Sequence, residues 1–228
     1  MLLLILEHNL PLDEVVFYDT GMEFEAIYQT RNKVKELLKT KGIKYTELKP
    51  LRAFEDSMHN NPYLSRKGDL KQGYGWCGAI CRWGTTEKIR TIYNYLKNQE
   101  VHQYVGIAID EPERLERLGN NKSSPLAQFG FTEKMALEYC YKQGYDWLET
   151  KGGKEPIRLY EILDRVSCWC CRNKNLKELY NYKIYLPNYF NKLIELEEKI
   201  GEPMKKPIYL KDRFKEDGQL TIFDFMED

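Results

Sequence analysis

Hydrophobic positions along this chain follow two alternating rhythms. Glu14–Tyr18 reads EVVFY, an apolar run of strand length, and the turn Asp19-Thr20-Gly21 closes it. Over residues 25–41, Ile27, Val34, Leu37 and Leu38 recur at helical spacing, and Gly42 supplies a stop. Residues 45–48 predict a short second strand and residues 86–96 a helix. Residues 101–109, VHQYVGIAI, predict a second strong strand that ends in Asp110-Glu111. Helices are predicted over 132–143, 160–165 and 188–200. Residues 51–75 carry Pro62 with several Gly, Asn and Ser, so they predict an irregular excursion.

Strand and helix signals that alternate in this way predict an α/β fold with a mainly parallel sheet and a helical C-terminal part. One domain is expected over residues 1–200, with no internal repeat. After Gly201 the composition shifts to Pro203, Pro207, lysines and Gly218, which predicts a tail over 201–228, laid on the surface or mobile. In open α/β sheets ligands gather beyond the carboxyl ends of the strands. Asp19, Gly21, Glu23, Asp110 and Glu111 occupy such places. Acidic residues there can hold a ribose or a metal, and they also serve as ordinary helix caps.

Composition narrows the classes of function. The chain has 228 residues, and Lys plus Arg balance Asp plus Glu at 35 each, so no overall field draws it to nucleic acid or anionic lipid. The apolar opening Met1 to Leu6 is short and has no basic leader, so neither a secretory signal nor a membrane span is expected, and a cytoplasmic location is. A reducing compartment favours metal ligation or redox chemistry over structural disulfides for the cysteines. Five of the six cysteines form two knots, Cys77-x3-Cys81 and Cys168-Trp169-Cys170-Cys171. Cys77 and Cys81, if helical, share one face, and Cys168-x2-Cys171 has the knuckle spacing of a ligand pair. These four make a candidate thiolate site, with Cys170 as a substitute or a nearby free thiol. Zinc and an iron–sulfur cluster such as 4Fe-4S both fit four thiolates. The plain alternative is unliganded thiols in an aromatic core beside Trp76, Trp83 and Trp169. Cys140 reads as core, and His8, His59 and His102 have no partner at ligand spacing. Arg82, Lys88, Arg90, Arg165 and Arg172 flank the knots, where they would steer a polyanion or offset the charge of a thiolate site.

Asp19-Thr20-Gly21 with Glu23-Phe24, the strand from Gly106 to Asp110-Glu111 with Arg114, Lys122 before Pro125-Leu126, and Arg165 through Cys171 together resemble the phosphoadenosine phosphosulfate reductase family. The likeness covers roughly residues 1–200 and is strongest to short phage- or mobile-element members. The resemblance implies a doubly wound sheet of the adenine nucleotide α-hydrolase-like type, shared with the PP-loop superfamily. It also implies an adenylyl nucleotide such as ATP or a phosphosulfate nucleotide as ligand. In that reading Asp19, Thr20, Gly21 and Glu23 shape the adenosine pocket. Asp110, Glu111 and Arg114 stand at the second strand's edge, and Lys122 precedes a segment that closes the site. The family's SGGKDS-type phosphate loop has no counterpart here. Met1 to His8 resembles the helix that follows that loop, so the chain as given is expected to bind nucleotide poorly; a start site chosen too late is the expected reason, and a natural form that has lost nucleotide chemistry is the alternative. No cysteine follows Cys171, which argues against sulfonucleotide reduction.

Gln219 to Phe225, QLTIFDF, looks like the peptides that dock on the bacterial replication sliding clamp; the alternative is a final hook packed on the domain. The functional expectation is a sulfur- or nucleotide-transfer enzyme with a four-cysteine metal site, acting through an adenylyl nucleotide and with nucleic acid among its conceivable substrates. The alternative is a non-catalytic nucleotide or nucleic-acid binding module that attaches to the clamp through its tail.

Overall fold

The computed structural model describes residues 1–65, 67–77, 80–153 and 155–215. Along the chain the elements are α1 (Leu2–Glu7), β1 (Glu14–Tyr18), α2 (Glu25–Thr40), β2 (Lys44–Leu48), β3 (Pro62–Leu64), β4 (Leu70–Gln72), α3 (Lys88–Leu96), β5 (Gln103–Tyr104), α4 (Pro112–Leu115), β6 (Lys122–Ser123), α5 (Pro125–Gln128), α6 (Glu133–Lys142), β7 (Leu148–Glu149), β8 (Ile157–Arg158), α7 (Leu159–Ile162), α8 (Leu176–Tyr185), α9 (Pro187–Ile200) and α10 (Leu210–Arg213). The architecture is mixed α/β. Among the described residues the strands pair in twos: β1 with β2, β3 with β4, β5 with β6 and β7 with β8. β5 and β6 run parallel, whereas β3–β4 and β7–β8 are antiparallel.

The chain divides into two compact units. Unit 1 comprises residues 1–17, 34–46 and 93–146, and unit 2 comprises residues 18–33, 47–92 and 147–228. In unit 1, the apolar run over 101–109 forms far less strand than its pattern predicts. Only Gln103 and Tyr104 pair, because the following backbone is satisfied in other ways. Ile107 N–H donates to Ser124 Oγ at 3.3 Å, Ser124 Oγ–H returns to the Ile107 carbonyl at 2.5 Å, and Ile109 N–H reaches the Phe131 carbonyl at 2.9 Å. Ile107 and Ala108 are buried all the same, so the apolar signal reports burial and not a ladder. Within α6, Cys140 is half-buried, and burial raises its thiol pKa.

Unit 2 carries the larger aromatic core. α8 packs on α9, and α9 on α10. Asn175 opens α8 with a reciprocal capping box: its side chain accepts from Glu178 N–H while the Glu178 carboxylate accepts from Asn175 N–H. Leu186 ends α8 and Pro187 starts α9 at the position where a missing N–H costs nothing. Leu179, Tyr182, Leu186 and Leu193 are fully buried along this hairpin. At roughly 25 cal/mol per Å2 of apolar surface, each such side chain contributes about 1.5–3 kcal/mol to folding.

Two buried carboxylates tie loops to this core. Glu149, with no exposure, accepts from Ala26 N–H in the first turn of α2 and from the N–H groups of Lys151 and Gly152. Glu197 accepts from Met204 N–H at 2.7 Å and Leu210 N–H at 2.8 Å. That second anchor ties the segment after Gly201 to unit 2 at Met204 and Leu210. Met204 and Leu210 are fully buried and Phe214 nearly so, so these three side chains join the core while the residues between them stay at the surface. The apolar residues there are too widely spaced to announce burial by periodicity.

A cysteine-lined cavity as the candidate functional site

The site begins with the turn after β1. Asp19 Oδ1 accepts from Gly21 N–H at 2.8 Å and from Tyr28 O–H at 2.9 Å, and Gly21 takes the left-handed conformation at φ +73° that such a turn favours in glycine. Asp19 Oδ2 lies 3.9 Å from Arg31, so this carboxylate is engaged internally, as an Asx turn and not as a helix cap. Thr20 Oγ1–H donates to Glu23 Oε1 at 2.6 Å and accepts from Met22 N–H at 3.2 Å. The turn therefore holds Thr20 and Glu23 together as one polar wall.

Against this wall lies the second cysteine knot. Trp169 N–H donates to the Met22 carbonyl at 3.0 Å, and Tyr182 O–H donates to the Trp169 carbonyl at 3.1 Å, which pins the knot between the turn and α8. The Cys168 thiol lies 3.6 Å from both Thr20 Oγ1 and Glu23 Oε1. Burial raises its pKa to about 12, and the Glu23 charge adds to the shift. Cys170 is buried and pushed higher still by desolvation, with the neighbouring thiols adding to the effect. Both are neutral thiols in the metal-free protein.

The first knot is built differently. Cys77 and Cys81 are not on a shared helix face, contrary to the helical reading of their spacing. Cys77 sits in irregular backbone, and Cys81 is the N-cap of a π-helical turn over Arg82–Glu87. Cys81 Sγ accepts from Gly84 N–H at 3.1 Å. A Cβ on Gly84 would stand 3.4 Å from that sulfur, an ordinary van der Waals contact. The Cys77 thiol, and then backbone N–H groups at Gly84, Trp83 and Thr85, lower the Cys81 pKa, while Cys77 is raised by the same pairing and by burial.

All five knot cysteines line one cavity of about 540 Å3 that lies within unit 2. Thr20, Glu23, Lys174 and Glu178 share its wall, together with the aromatic rings of Trp76 and Trp83. The cysteines share this space without closing on a point. Among the described residues, no three His, Cys, Asp or Glu side chains are grouped so as to hold a metal ion. The donor chemistry nevertheless suits a soft metal, since five thiols face one space and cations stand beside them. Arg165 and Arg172 line the cavity, as the basic flanks of the knots predict.

Lys174 and Glu178 are functional candidates that the sequence pattern does not single out. Lys174 is 2% exposed; its ammonium donates to the Arg165 carbonyl at 3.3 Å and stands over the rings of Phe24 and Tyr182. Desolvation lowers its pKa, against the pull of Glu178 and the thiols. The Asn175-x2-Glu178 capping box is the one signal that marks this stretch in advance, and it marks a helix start and not a site.

The remaining predicted ligand residues belong to unit 1. Asp110 Oδ1 accepts from Glu133 N–H at 3.2 Å in the first turn of α6, an ordinary capping role. Glu111 accepts from Ala108 N–H at 3.0 Å and pairs with Arg114, and Lys122 lies exposed on β6. The segment from Gln219 to Phe225 lies outside the described residues.

No family model matches the chain, and no solved structure matches it. Two uncharacterized proteins of Methanocaldococcus jannaschii are similar to it. MJ0973 is 25% identical over 82% of this chain and 42% of its own length, and MJ0066 is 24% identical over 78% and 35%. The chain thus spans well under half the length of these relatives. Neither name carries a function.

Proposed function

We propose that this chain is an adenylyl-nucleotide-binding protein of the phosphoadenosine phosphosulfate reductase type, with the doubly wound sheet of that family, and that its knot cysteines hold a metal. The observation that carries this reading is the shared cavity. The turn assigned to the nucleotide, through Thr20 and Glu23, and both cysteine knots line one space, with the Cys168 thiol in contact with both turn side chains. Cys77, Cys81, Cys168 and Cys171 would hold zinc or a 4Fe-4S cluster, with Cys170 as the substitute ligand. Bound there, the metal would order the cavity wall and supply a soft centre for sulfur. Thiolates brought together in a buried space need compensating charge, and Lys174, Arg165 and Arg172 supply it.

The reaction class that fits is activation followed by sulfur transfer. A substrate oxygen attacks the α-phosphorus of ATP and pyrophosphate leaves. A thiol or hydrosulfide then attacks the activated carbon and AMP leaves. The test is metal analysis of the anaerobically purified chain, together with equilibrium binding of ATP at millimolar concentration. Stoichiometric iron or zinc, and ATP binding weakened by Thr20→Val, are expected. Folded protein with neither metal nor ATP binding overturns the reading. Docking on a sliding clamp through Gln219 to Phe225 is a separate proposal. It fails if the wild-type chain does not bind the clamp, or if Gln219→Ala with Phe223→Ala leaves binding intact.

A further inference from the structure

A second cavity of about 410 Å3 in unit 2 has no acidic residue in its lining among the described residues. It is walled by Arg172, Asn173, Asn175, Lys205, Lys206 and Arg213. Four cations gather on this concavity, and an anion bound there would relieve their mutual repulsion. The architecture that gathers them is fixed. The buried Glu197 carboxylate holds Met204 N–H and Leu210 N–H, which folds the segment carrying Lys205 and Lys206 back toward α10 and Arg213. Arg172 Nε–H donates to the Met204 carbonyl at 3.1 Å, and Trp76 Nε1–H to the Glu202 carbonyl at 2.9 Å, so the same segment is tied to both cysteine knots.

Several of the positive charges remain available. Neither Arg172 nor Arg213 pairs with a carboxylate among the described residues, and Arg213 Nε is buried with no hydrogen-bond acceptor there. Lys206 meets Glu202 at 3.1 Å in an exposed pair of small worth. Asn175 is spent on Asp164 and on the start of α8, so it shapes the wall, and Arg172 and Arg213 are the donors facing the pocket. The positive end of the α8 dipole adds to the field. At about 30 Å3 per water, the space holds roughly a dozen waters, more than a lone phosphate needs.

We propose that this basic pocket is a binding site for a short oligophosphate, of which inorganic pyrophosphate is the simplest form. A compact, multiply charged oxyanion matches four cations on one concave wall, and guanidinium groups grip phosphate oxygens in pairs. A nucleic-acid backbone, by contrast, is tracked by cations laid out along a groove. The pocket's own residues carry this assignment, apart from the nucleotide reading of the first cavity. Arg172 and Asn173 line both cavities, so an oligophosphate held here would sit beside the cysteine site.

The test uses the full chain, with inorganic pyrophosphate titrated by calorimetry in low salt. Saturable binding is expected, weakened about tenfold by Arg213→Gln or by Lys206→Gln. Lys211→Gln, which removes an exposed lysine paired with Glu198 outside the pocket, is expected to leave it unchanged. Thermal unfolding confirms that each variant folds, and Lys205→Gln serves as a further probe if Arg213→Gln does not. A labelled single-stranded oligonucleotide forms the second arm. The proposal is overturned if folded wild type does not bind pyrophosphate, or if the pocket variants bind it as wild type does. It is also overturned if those variants weaken only oligonucleotide binding, which pyrophosphate then fails to displace.

Discussion

The two cysteine knots look alike as sequence and differ as structure. Cys168 to Cys171 is set into the core, pinned by the Met22 carbonyl on one side and the Tyr182 hydroxyl on the other. Cys77 and Cys81 stand on irregular backbone at the edge of the same cavity, each half-buried. The consequence is a different ionisation at Cys81 alone. Desolvation holds Cys168 and Cys170 as neutral thiols, whereas Cys77 and a fan of backbone N–H groups stabilise the Cys81 thiolate. A thiol's chemistry is therefore set by what surrounds the sulfur, and short spacing between cysteines only nominates it.

The largest expected effect falls on metal retention. If both knots serve one centre, Cys168→Ser and Cys81→Ser each lower bound iron or zinc by more than about tenfold, a loss at least as large as that for removing an outer-shell partner. Metal content measured after anaerobic purification checks this; loss in one variant alone would show that the knots act separately. Next comes stability. Leu179→Ala, at a fully buried position of α8, is expected to cost about 2–5 kcal/mol in denaturant unfolding. Ile80→Ala beside the first knot, 72% exposed, should stay within about 0.5 kcal/mol. Equal costs would erase the contrast between a core-set and an edge-set knot.

Thiol labelling sharpens the contrast further. In chelator-treated protein at neutral pH, alkylation of Cys81 is expected to outpace that of Cys168 and Cys170 by roughly tenfold or more, read by peptide mass. The sign for stability follows from the same shifts. Cys168 has a folded pKa of about 12 against an ordinary thiol value of 9.0, so its contribution is complete below about pH 9 and is lost as pH rises toward 12. Unfolding of the metal-free protein should accordingly become easier across that window. A smaller effect than at Leu179 is expected at Lys174, whose folded pKa is depressed. Below that depressed value the buried ammonium costs stability, so Lys174→Met is expected to stabilise the metal-free protein by about 1 kcal/mol at neutral pH. The same change should weaken metal retention, and unchanged retention would remove Lys174 from the site.

Regular elements with clean periodicity were legible in the chain. Glu14–Tyr18 forms the strand its apolar run predicts, and the predicted helices over 25–41, 132–143 and 188–200 match α2, α6 and α9 to within a residue or so at each end. Elements governed by side-chain hydrogen bonds were not. Ser124 and Phe131 take up the backbone groups that a strand over 101–109 would have used, and no window of sequence contains both sides of that exchange. α8 escaped a periodicity reading because Leu176, Leu179 and Tyr182 are diluted by exposed Tyr180, Ile184 and Tyr185. Of the site, the thiols and the Asp19-Thr20-Gly21 turn were readable from composition and spacing, and Lys174 was not, since its burial depends on Phe24 and Tyr182 from distant parts of the chain.

By itself the sequence determined which chemistry is on offer: soft sulfur donors in two knots, an Asp-Thr-Gly turn after a strand, and basic residues beside the thiols. These are local properties, fixed by residue type and by spacings of a few residues. Only the tertiary structure decided that both knots and the Thr20–Glu23 wall face one cavity, that Lys205, Lys206 and Arg213 join Arg172 around another, and which thiols ionise. Each of those outcomes turns on desolvation and on neighbours far away in the chain, and no local pattern encodes either.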